Sequence, residues 1–349
     1  MSTTAALAAP SADGRFEVMT IERRELRPDD VAIDIAYAGI CHSDIHTVRE
    51  EWGEASFPLV PGHEIAGVVS AVGPEVTRVA VGDRVGVGCM VGSCGECAQC
   101  RDGHENFCER KTVWTYGDED VDGTMTQGGY AQQVVVGERF VLRVPDSIGL
   151  DAAAPLLCAG ITVYTPLKRW GARAGAQVAV VGMGGLGHMA VKIAAAMGAE
   201  VTVLSQGLSK EADGRRFGAS DYRATSDTAT FEDLRGRFDL VLSTVSADLD
   251  LAAHLSLVKP FGAFVSVGLP PDPQQLPFFA LVDGDKVLAG SNIGGIALTQ
   301  EMLDFCAEHG IAAEIETISA DQVDEAYDRV VKSDVRYRFV IDTATIRTP

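Results

Sequence analysis

The sequence is short of positive charge and has no long apolar run. Lys and Arg together number 29 against 49 Asp and Glu, which gives a formal net charge of −20. Such a charge repels nucleic acids and anionic membranes, so neither is expected as a partner. No uninterrupted apolar stretch reaches about 18 residues, so a membrane span is not predicted.

A signal peptide is not predicted either, and low-complexity segments are missing. Residues 4–9 are mildly apolar, but no basic segment precedes them and the run is too short for a signal peptide. We find no internal repeat and no low-complexity linker. We therefore predict a cytoplasmic protein, and the length of 349 residues favours two domains.

Cysteine, by contrast, is concentrated in one place. Of the eight cysteines, four stand within residues 94–108 in the pattern Cys-x2-Cys-x2-Cys-x7-Cys. Four thiolates at this spacing can close a tetrahedron around a zinc ion and leave no open position. The alternative is a redox or accidental cluster. We predict a structural zinc in a lobe of about residues 89–110, held by Cys94, Cys97, Cys100 and Cys108.

A second group of metal-binding residue types comes earlier in the chain. Cys41 opens the segment Cys-His-Ser-Asp-Ile-His, and His63 follows in Pro-Gly-His-Glu. A thiol and an imidazole suit zinc, and a catalytic zinc keeps three protein ligands and one open position. The alternatives are a structural zinc or unrelated core residues. The sequence alone leaves the third ligand open among Cys89, Cys158 and Cys306.

The pattern of predicted secondary structure changes near residue 151. Before it, short apolar or alternating runs predict strands at 31–37, 65–72, 85–87, 134–136 and 140–144. After it, predicted strands at 177–181, 200–205, 238–243, 263–268 and 287–291 alternate with helical patterns, which is typical of a parallel, doubly wound sheet.

Beyond residue 292 the chain is expected to return to the first domain. The pattern predicts a helix over 299–309, a capping box at Ser319 and Gln322 that opens a helix to about Lys332, and a last strand over 335–341. On that strand we expect Arg336 and Arg338 to face solvent, with contact to a cofactor as the alternative.

The first strand of the second region leads into a glycine-rich turn. Residues 182–187 read Gly-x-Gly-x-x-Gly between a predicted strand and a helix to about residue 197, as a dinucleotide fingerprint requires. The next strand ends at Ser205, without the carboxylate that binds the ribose 2′-hydroxyl of NAD. Ser205 can donate to a 2′-phosphate instead, with Ser209 and Lys210 close behind. We predict NADP(H), against a solvated loop that does not discriminate.

Several segments together resemble one enzyme family. Residues 62–76 read Gly-His-Glu-x2-Gly-x5-Gly-x2-Val, which is similar to the zinc signature of medium-chain alcohol dehydrogenases at every defined position. The likeness continues in residues 39–46, 126–130, 155–162, 184–189, 290–295 and 334–340. It covers nearly the whole chain and resembles the zinc-dependent cinnamyl-alcohol-dehydrogenase subgroup, in particular its bacterial NADP-dependent members.

The resemblance implies an architecture and an assembly. It implies an α/β protein with a GroES-like, β-rich catalytic domain (residues 1–152 and 293–349) and a doubly wound Rossmann NADP-binding domain (residues 153–292). It selects Cys158 as the third ligand of the catalytic zinc, after Cys41 and His63, which makes two zinc ions per chain. It also implies a homodimer joined through the nucleotide domains.

The resemblance further implies roles for individual residues. Ser43 is assigned to the substrate oxygen and His46 to the outer end of a proton relay, both on one loop, with an ordinary surface histidine as the alternative for His46. Asp44 is expected to orient the ligands, and Glu64 to lie beside the zinc or bind it transiently. Cofactor contacts are implied for Thr162, Gly182, Gly184, Gly185, Leu186, Gly187, Ser205, Ser209, Lys210, Gly268, Ser291, Asn292 and Ile293. The expected substrate pocket contains Trp52, Cys89 and Trp114, with plain packing as the alternative for Trp114.

The implied activity is reversible hydride transfer between NADP(H) and primary alcohols or aldehydes, aromatic or of medium chain length. Zinc would polarise the substrate oxygen as a Lewis acid. Because cells keep the NADP pool reduced, aldehyde reduction is the expected direction. One rival is a zinc-free quinone reductase of the same superfamily, which predicts none of these ligands. The other is a non-catalytic NADP-binding redox sensor whose zinc is only structural.

Overall fold

Two units divide the chain in a computed structural model that describes residues 2–347. One unit contains the residues up to Ile161 and from Gly294 onward, and the other contains Thr162–Ile293. The boundaries expected from the sequence stand after residues 152 and 292. In the structure, the turn that ends in Cys158 therefore lies within the first unit.

The first unit begins with strands and short helices. Before the chain enters the second unit, the strands of the first unit are β1 (Ser2–Ala8), β2 (Glu17–Arg23), β3 (Asp30–Gly39), β4 (Ile65–Val72), β5 (Arg84–Val87), β6 (Met90–Gly92), β7 (Val113–Trp114), β8 (Gln133–Gly137) and β9 (Leu142–Arg143). Its helices there are α1 (His42–Val48), α2 (Ala98–Arg101) and α3 (Leu150–Ala153), with 3-10 turns at Glu105–Phe107, Glu138–Phe140 and Ala154–Leu157. Helix α4 (Ala159–Arg169) contains the boundary between the units.

The second unit is a parallel α/β structure. Its strands are β10 (Gln177–Val181), β11 (Glu200–Ser205), β12 (Asp221–Ala224), β13 (Phe238–Ser243), β14 (Val258–Ser266) and β15 (Val287–Gly290). Its helices are α5 (Gly185–Ala196), α6 (Glu211–Arg216), α7 (Ala229–Asp233), α8 (Leu251–Ser256) and α9 (Phe279–Val282). The strands pair in parallel in the order β12-β11-β10-β13-β14-β15. This is the order of a doubly wound dinucleotide-binding sheet, and the predicted fold class is confirmed.

The chain then re-enters the first unit and completes its sheet. The returning elements are α10 (Ile296–Glu308), β16 (Ile315–Ile318), α11 (Val323–Val331) and β17 (Arg338–Asp342), with 3-10 turns at Ala320–Gln322 and Thr343–Thr345. The sheet runs β16-β17-β3-β4-β5-β9, and β8 also pairs with β3. Because Val340 pairs with Gly39, β17 lies beside the end of β3, where the Cys41 segment begins.

Most predicted strands are confirmed, but several boundaries differ. The strands at 65–72, 177–181, 200–205 and 238–243 have the predicted bounds, and the capping box at Ser319 is present. Strand β14 begins earlier than predicted, and only Leu142–Arg143 of the stretch 140–144 is a strand. The last strand begins at Arg338, because its pairing with β16 starts only there.

A helix over His42–Val48 and a strand over Ser2–Ala8 were not predicted. Residues 41–46 were expected to form a loop, yet the chain is helical over His42–Val48. Cys41 is the N-cap of this helix, and its N–H donates to Asp44, which satisfies one of the free donors of a helix start. Residues 2–8 form β1, which pairs with β2 along its whole length.

Within residues 2–347 no single helix is long and apolar enough to cross a membrane. One pair of helical segments, Leu150–Leu157 and Ala159–Arg169, meets the criterion together by length and composition, with a bend of 55° between them.

Candidate metal and cofactor sites

The predicted catalytic ligands converge in the first unit. Ligand atoms of Cys41, His63, Glu64 and Cys158 all lie within 4.8 Å of one another, and all four residues are buried. Cys41 begins α1, His63 and Glu64 directly precede β4, and Cys158 follows a 3-10 turn. The two thiol sulfurs are 3.9 Å apart. Of the three cysteines left open by the sequence, Cys158 is the one that joins this group.

A single carboxylate organises the site. Asp44 accepts hydrogen bonds from the N–H groups of Cys41 (2.9 Å) and Gly62 (3.2 Å), and it lies 3.0 Å from His63 Nδ1. The hydroxyl of Tyr130 donates to it at 3.3 Å. Because Asp44 holds Nδ1, the other ring nitrogen of His63 remains for a metal, which is the usual arrangement behind a ligating histidine. The orienting role expected of Asp44 fits these contacts.

The electrostatics of the site favour a cation. Burial lowers the pKa of His63, but Asp44 and Cys89 raise it well above its usual value. The hydrogen bond from Cys158 lowers the pKa of the Cys41 thiol well below its usual value, against the effect of burial. An imidazole and two thiols, one of them readily ionised, form the donor set that zinc prefers. The residues present therefore fit a zinc ion.

Arg338 corrects one expectation from the sequence. A solvated position was predicted, but the residue is only 6% exposed. Its guanidinium donates to Glu64 Oε1 at 2.5 Å and to the carbonyl of Ile40 at 2.8 Å. Burial lowers the pKa of Arg338, but Glu64 and the neighbouring thiols raise it above its usual value, so it stays charged. The other oxygen of Glu64 is buried with no hydrogen-bond partner in residues 2–347.

His46 lies in a stack of rings at the end of α1. Its ring centroid is 4.9 Å from that of His42 and 4.7 Å from that of Trp52, with interplanar angles of 29° and 27°. Its Nδ1 contacts the carboxylate of Glu51. Glu51 was not predicted from the sequence, because the contact depends on a left-handed turn at Glu50 (φ 56°) that no periodic pattern indicates. The hydroxyl of Ser43 lies 3.6 Å from the Cys41 sulfur.

The expected pocket residues lie in two places. Trp52 is 52% exposed and covers His46. Trp114 is 40% exposed on β7, where it pairs with Met90 of the adjacent strand. The carbonyl of Cys89 accepts from Thr115 N–H at 3.1 Å, so Cys89 and Trp114 belong to one local structure. The remaining cysteine, Cys306, is buried on α10 and belongs to neither group of potential metal ligands in the described residues.

The four cysteines of the lobe also come together. Their sulfurs form a second group with all ligand atoms within 4.8 Å, and the sulfurs of Cys94 and Cys100 are 3.9 Å apart. Backbone N–H groups point at the sulfurs, as from Cys97 to Cys94 at 3.4 Å. Burial raises the pKa of Cys108, but hydrogen bonds from backbone N–H groups lower it to about 6. Gly95 (φ 73°) permits the tight turn. The four thiols fit a closed zinc site.

The glycine-rich turn has the shape that a pyrophosphate needs. Gly182 has φ 96°, and a Cβ on Gly187 would collide with the carbonyl of Gly182. Gly184, the N-cap of α5, has open space where a Cβ would stand. Gly185, Leu186 and Gly187 form the first turn of α5. The first N–H groups of a helix have no partner within the helix and can bind a phosphate. The cradle fits a dinucleotide phosphate.

The other expected cofactor residues also belong to the second unit. Ser205 ends β11, Ser209 is exposed, and the Lys210 amine donates to the carbonyl of Met183 in the glycine-rich turn at 3.0 Å. Thr162 is buried on α4, and a Cβ on Gly268 would collide with the carbonyl of Val245. Ser291 N–H donates to Ser266, and Asn292 accepts from Ile293 N–H at 2.8 Å.

A doubly wound nucleotide-binding unit, together with a unit that gathers two zinc-type donor sets, defines a metal-dependent dehydrogenase. Comparisons with known proteins agree. Residues 27–146 match the family described as alcohol dehydrogenase GroES-like domain, and residues 185–308 match the family described as zinc-binding dehydrogenase. The chain is 60% identical over 349 residues to NADP-dependent alcohol dehydrogenase C 1 of Mycolicibacterium smegmatis, with 100% of each chain covered.

Solved structures give the same result. A cinnamyl alcohol dehydrogenase from Sorghum bicolor is similar with a TM-score of 0.95 and 44% identity, over 100% of this chain and 99% of that one. The CAD from Helicobacter pylori, complexed with NADP(H), has a TM-score of 0.92 and 41% identity, over 98% of each chain. The chain therefore belongs to the zinc-binding alcohol dehydrogenase family, and the predicted resemblance is confirmed.

Proposed function

We propose that this protein is a zinc-dependent alcohol dehydrogenase and aldehyde reductase that uses NADP(H). The observation that carries the proposal is the buried group of Cys41, His63 and Cys158, with Glu64 beside it. Three strong donors leave one position for a substrate oxygen, which a catalytic zinc site requires. A bound zinc would polarise that oxygen, and a bound nicotinamide would exchange hydride with the adjacent carbon.

The residues around the donors supply orientation and proton transfer. Asp44 fixes the tautomer and the plane of His63 through Nδ1. Ser43 is the proposed first acceptor of the alcohol proton, and His46 is the proposed outer end of the relay. Because Glu51 engages Nδ1 of His46, its Nε2 is the nitrogen left to exchange protons. The four-cysteine site is proposed to hold a second, structural zinc.

NADP(H) is the proposed cofactor because of the residues that follow β11. Ser205 offers a hydroxyl where a carboxylate would repel a 2′-phosphate. Lys210 brings a positive charge next to the glycine-rich turn, through its contact with Met183. The relatives named above as NADP-dependent or NADP(H)-bound support this assignment. Aldehyde reduction is the proposed direction, with aromatic or medium-chain aldehydes as substrates.

A homodimer through the second unit is part of the proposal. Strand β15 ends the parallel sheet, and such an edge presents backbone groups that a second copy can pair with. Apolar side chains next to it are strongly exposed: Phe278 at 75%, Phe279 at 76% and Val282 at 68%. Light scattering should give twice the chain mass, and Phe279→Asp should shift it toward the monomer. Val81→Asp, an exposed site of the first unit, is the control.

The central experiment follows absorbance at 340 nm with NADPH and a panel of aldehydes. We expect turnover that depends on zinc and disappears in Cys158→Ser. A protein that binds NADPH but turns over no member of the panel would instead be the non-catalytic sensor. A protein that is active without zinc would contradict the proposed mechanism.

A further inference from the structure

The lobe that carries the four cysteines contacts the segment by which the chain re-enters the first unit. Gly103 and Glu105 lie between the third and fourth cysteines of the lobe, and both face Gly295, the N-cap of α10. A Cβ on Gly295 would collide with the carbonyl of Gly103 and stand 2.6 Å from Glu105 Oε2. Only glycine permits so close an approach.

Glu105 supplies a cap that α10 does not have of its own. Its carboxylate accepts a hydrogen bond from the N–H of Ile296, the first residue of the helix, at 3.1 Å. Gly295 has no side chain to do this. The first N–H groups of a helix need acceptors and carry partial positive charge. A carboxylate therefore stabilises them both as a hydrogen-bond acceptor and through its negative charge. The cap of a 13-residue helix thus comes from the metal lobe.

The capped helix directly follows the proposed cofactor segment Ser291–Ile293. The division between the units falls between Ile293 and Gly294. At the start of the segment, where the chain leaves the parallel sheet of the second unit, Ser291 N–H donates to the carbonyl of Ser266 at 3.0 Å. On the side of the helix, the N–H of Ile296 donates to Glu105. Hydrogen bonds therefore flank the segment on both sides, and one of them comes from the lobe.

We propose that Glu105 is a positioning residue for the cofactor: by capping α10 it fixes the segment 291–293 and makes NADP(H) affinity depend on the folded four-cysteine lobe. This inference rests on the proposed function, because NADP(H) is the ligand. It gives the lobe a role in cofactor binding as well as in stability.

The test is a fluorescence titration of NADPH, without aldehyde, on zinc-loaded protein. Glu105→Ala should raise the Kd by roughly three- to tenfold, the effect of losing about one helix cap. The KM for NADPH should rise in parallel, and kcat at saturating NADPH should stay unchanged. Glu105→Gln should recover most of the affinity that Glu105→Ala loses, because its amide oxygen can accept the same bond although it carries no charge. Glu109→Ala, an exposed carboxylate of the same lobe, is the matched control.

A second variant keeps the test independent of the stability of the lobe. Ile296→Pro removes the donor, and proline is well tolerated at the first position of a helix. Gly295 has φ −69° and ψ 172°, which suits a residue before proline. Ile296→Ala controls for the lost side chain. We expect Ile296→Pro to raise the Kd like Glu105→Ala, with little further effect in the double variant.

The outcomes separate the two proposals. If the wild-type protein does not bind NADPH, the proposed function fails. If it binds NADPH and Ile296→Pro binds it equally well, the proposed function stands and the role of Glu105 is overturned. If Glu105→Ala loses zinc, the Kd of Ile296→Pro for NADPH decides whether the proposed role of Glu105 stands, because that substitution lies outside the lobe. A Glu105→Gln variant as weak as Glu105→Ala would also overturn the capping role.

Discussion

Replacing Arg338 with methionine should destabilise the protein by about 3–5 kcal/mol, because removing one partner of a buried pair leaves the other buried alone. Glu64 is fully buried and Arg338 nearly so. Methionine keeps much of the length of the side chain but has no hydrogen-bond donor. The substitution therefore tests the ion pair with little change in packed volume.

The expected loss of stability can be divided between the two groups that Arg338 contacts. Most of it comes from Glu64: burial raises its pKa to about 8 even with Arg338 acting to lower it, and the substitution removes that partner. The carbonyl of Ile40 also loses its donor at 2.8 Å, which accounts for about 1 kcal/mol. For a unit of this size, roughly 2–4 °C of melting temperature corresponds to 1 kcal/mol, so the midpoint should fall by about 6–20 °C. Adding Glu64→Gln removes the lone carboxyl group and should recover about 2 kcal/mol.

Thermal unfolding followed by circular dichroism measures these effects, with zinc content determined on the same samples. Arg336→Met is the matched control, since Arg336 is an exposed arginine on the same segment. We expect the control to lie within about 0.5 kcal/mol of wild type. The reasoning is refuted if Arg338→Met is no less stable than Arg336→Met, or if the double variant is no more stable than Arg338→Met alone.

Three further predictions concern the proposed chemistry. Metal analysis should give two zinc ions per chain; Cys100→Ser should unfold or aggregate, because a structural zinc contributes folding free energy, whereas Cys158→Ser should stay folded and lose turnover. One zinc in fully active protein would contradict this. His46→Gln should keep both zinc ions and slow alcohol oxidation, most clearly at acidic to neutral pH, toward the lower end of about 10²–10⁴-fold; loss of the catalytic zinc would refute the relay assignment. Ser205→Asp should shift the ratio of kcat/KM for NADPH and NADH toward NADH, and equal wild-type values would show that the loop does not discriminate.

The ligands were predictable where the sequence brings them close together. The four cysteines of the lobe lie in one short segment, so their spacing already predicts a closed site. The glycine-rich turn stands between β10 and α5, as its pattern requires. The third catalytic ligand was different, because spacing could not choose between Cys158 and the other cysteines. Only the likeness to a family selected Cys158, and the structure then brought it within reach of Cys41.

The supporting residues were harder to predict, because their partners are distant in sequence. Arg338 stands on a strand whose alternation does not reveal that a buried carboxylate faces it. Glu51 reaches His46 only through a turn with a left-handed residue. Glu105 caps a helix that begins far along the chain at Ile296. Local pattern can indicate which residues are chemically able to act, but it cannot show which distant groups hold them in place.

The register of the sheet explains how Arg338 comes to lie against Glu64. Val340 pairs with Gly39, and the carbonyl of Phe339 accepts from Ile40 N–H at 2.9 Å. This pairing sets Arg338 against Glu64 just behind Cys41. Until β17 has joined β3, the carboxyl group of Glu64 has no guanidinium to pair with in the interior. Formation of the proposed catalytic zinc site is therefore linked to the folding of the whole first unit, including its C-terminal strand, and not to the Cys41 segment alone.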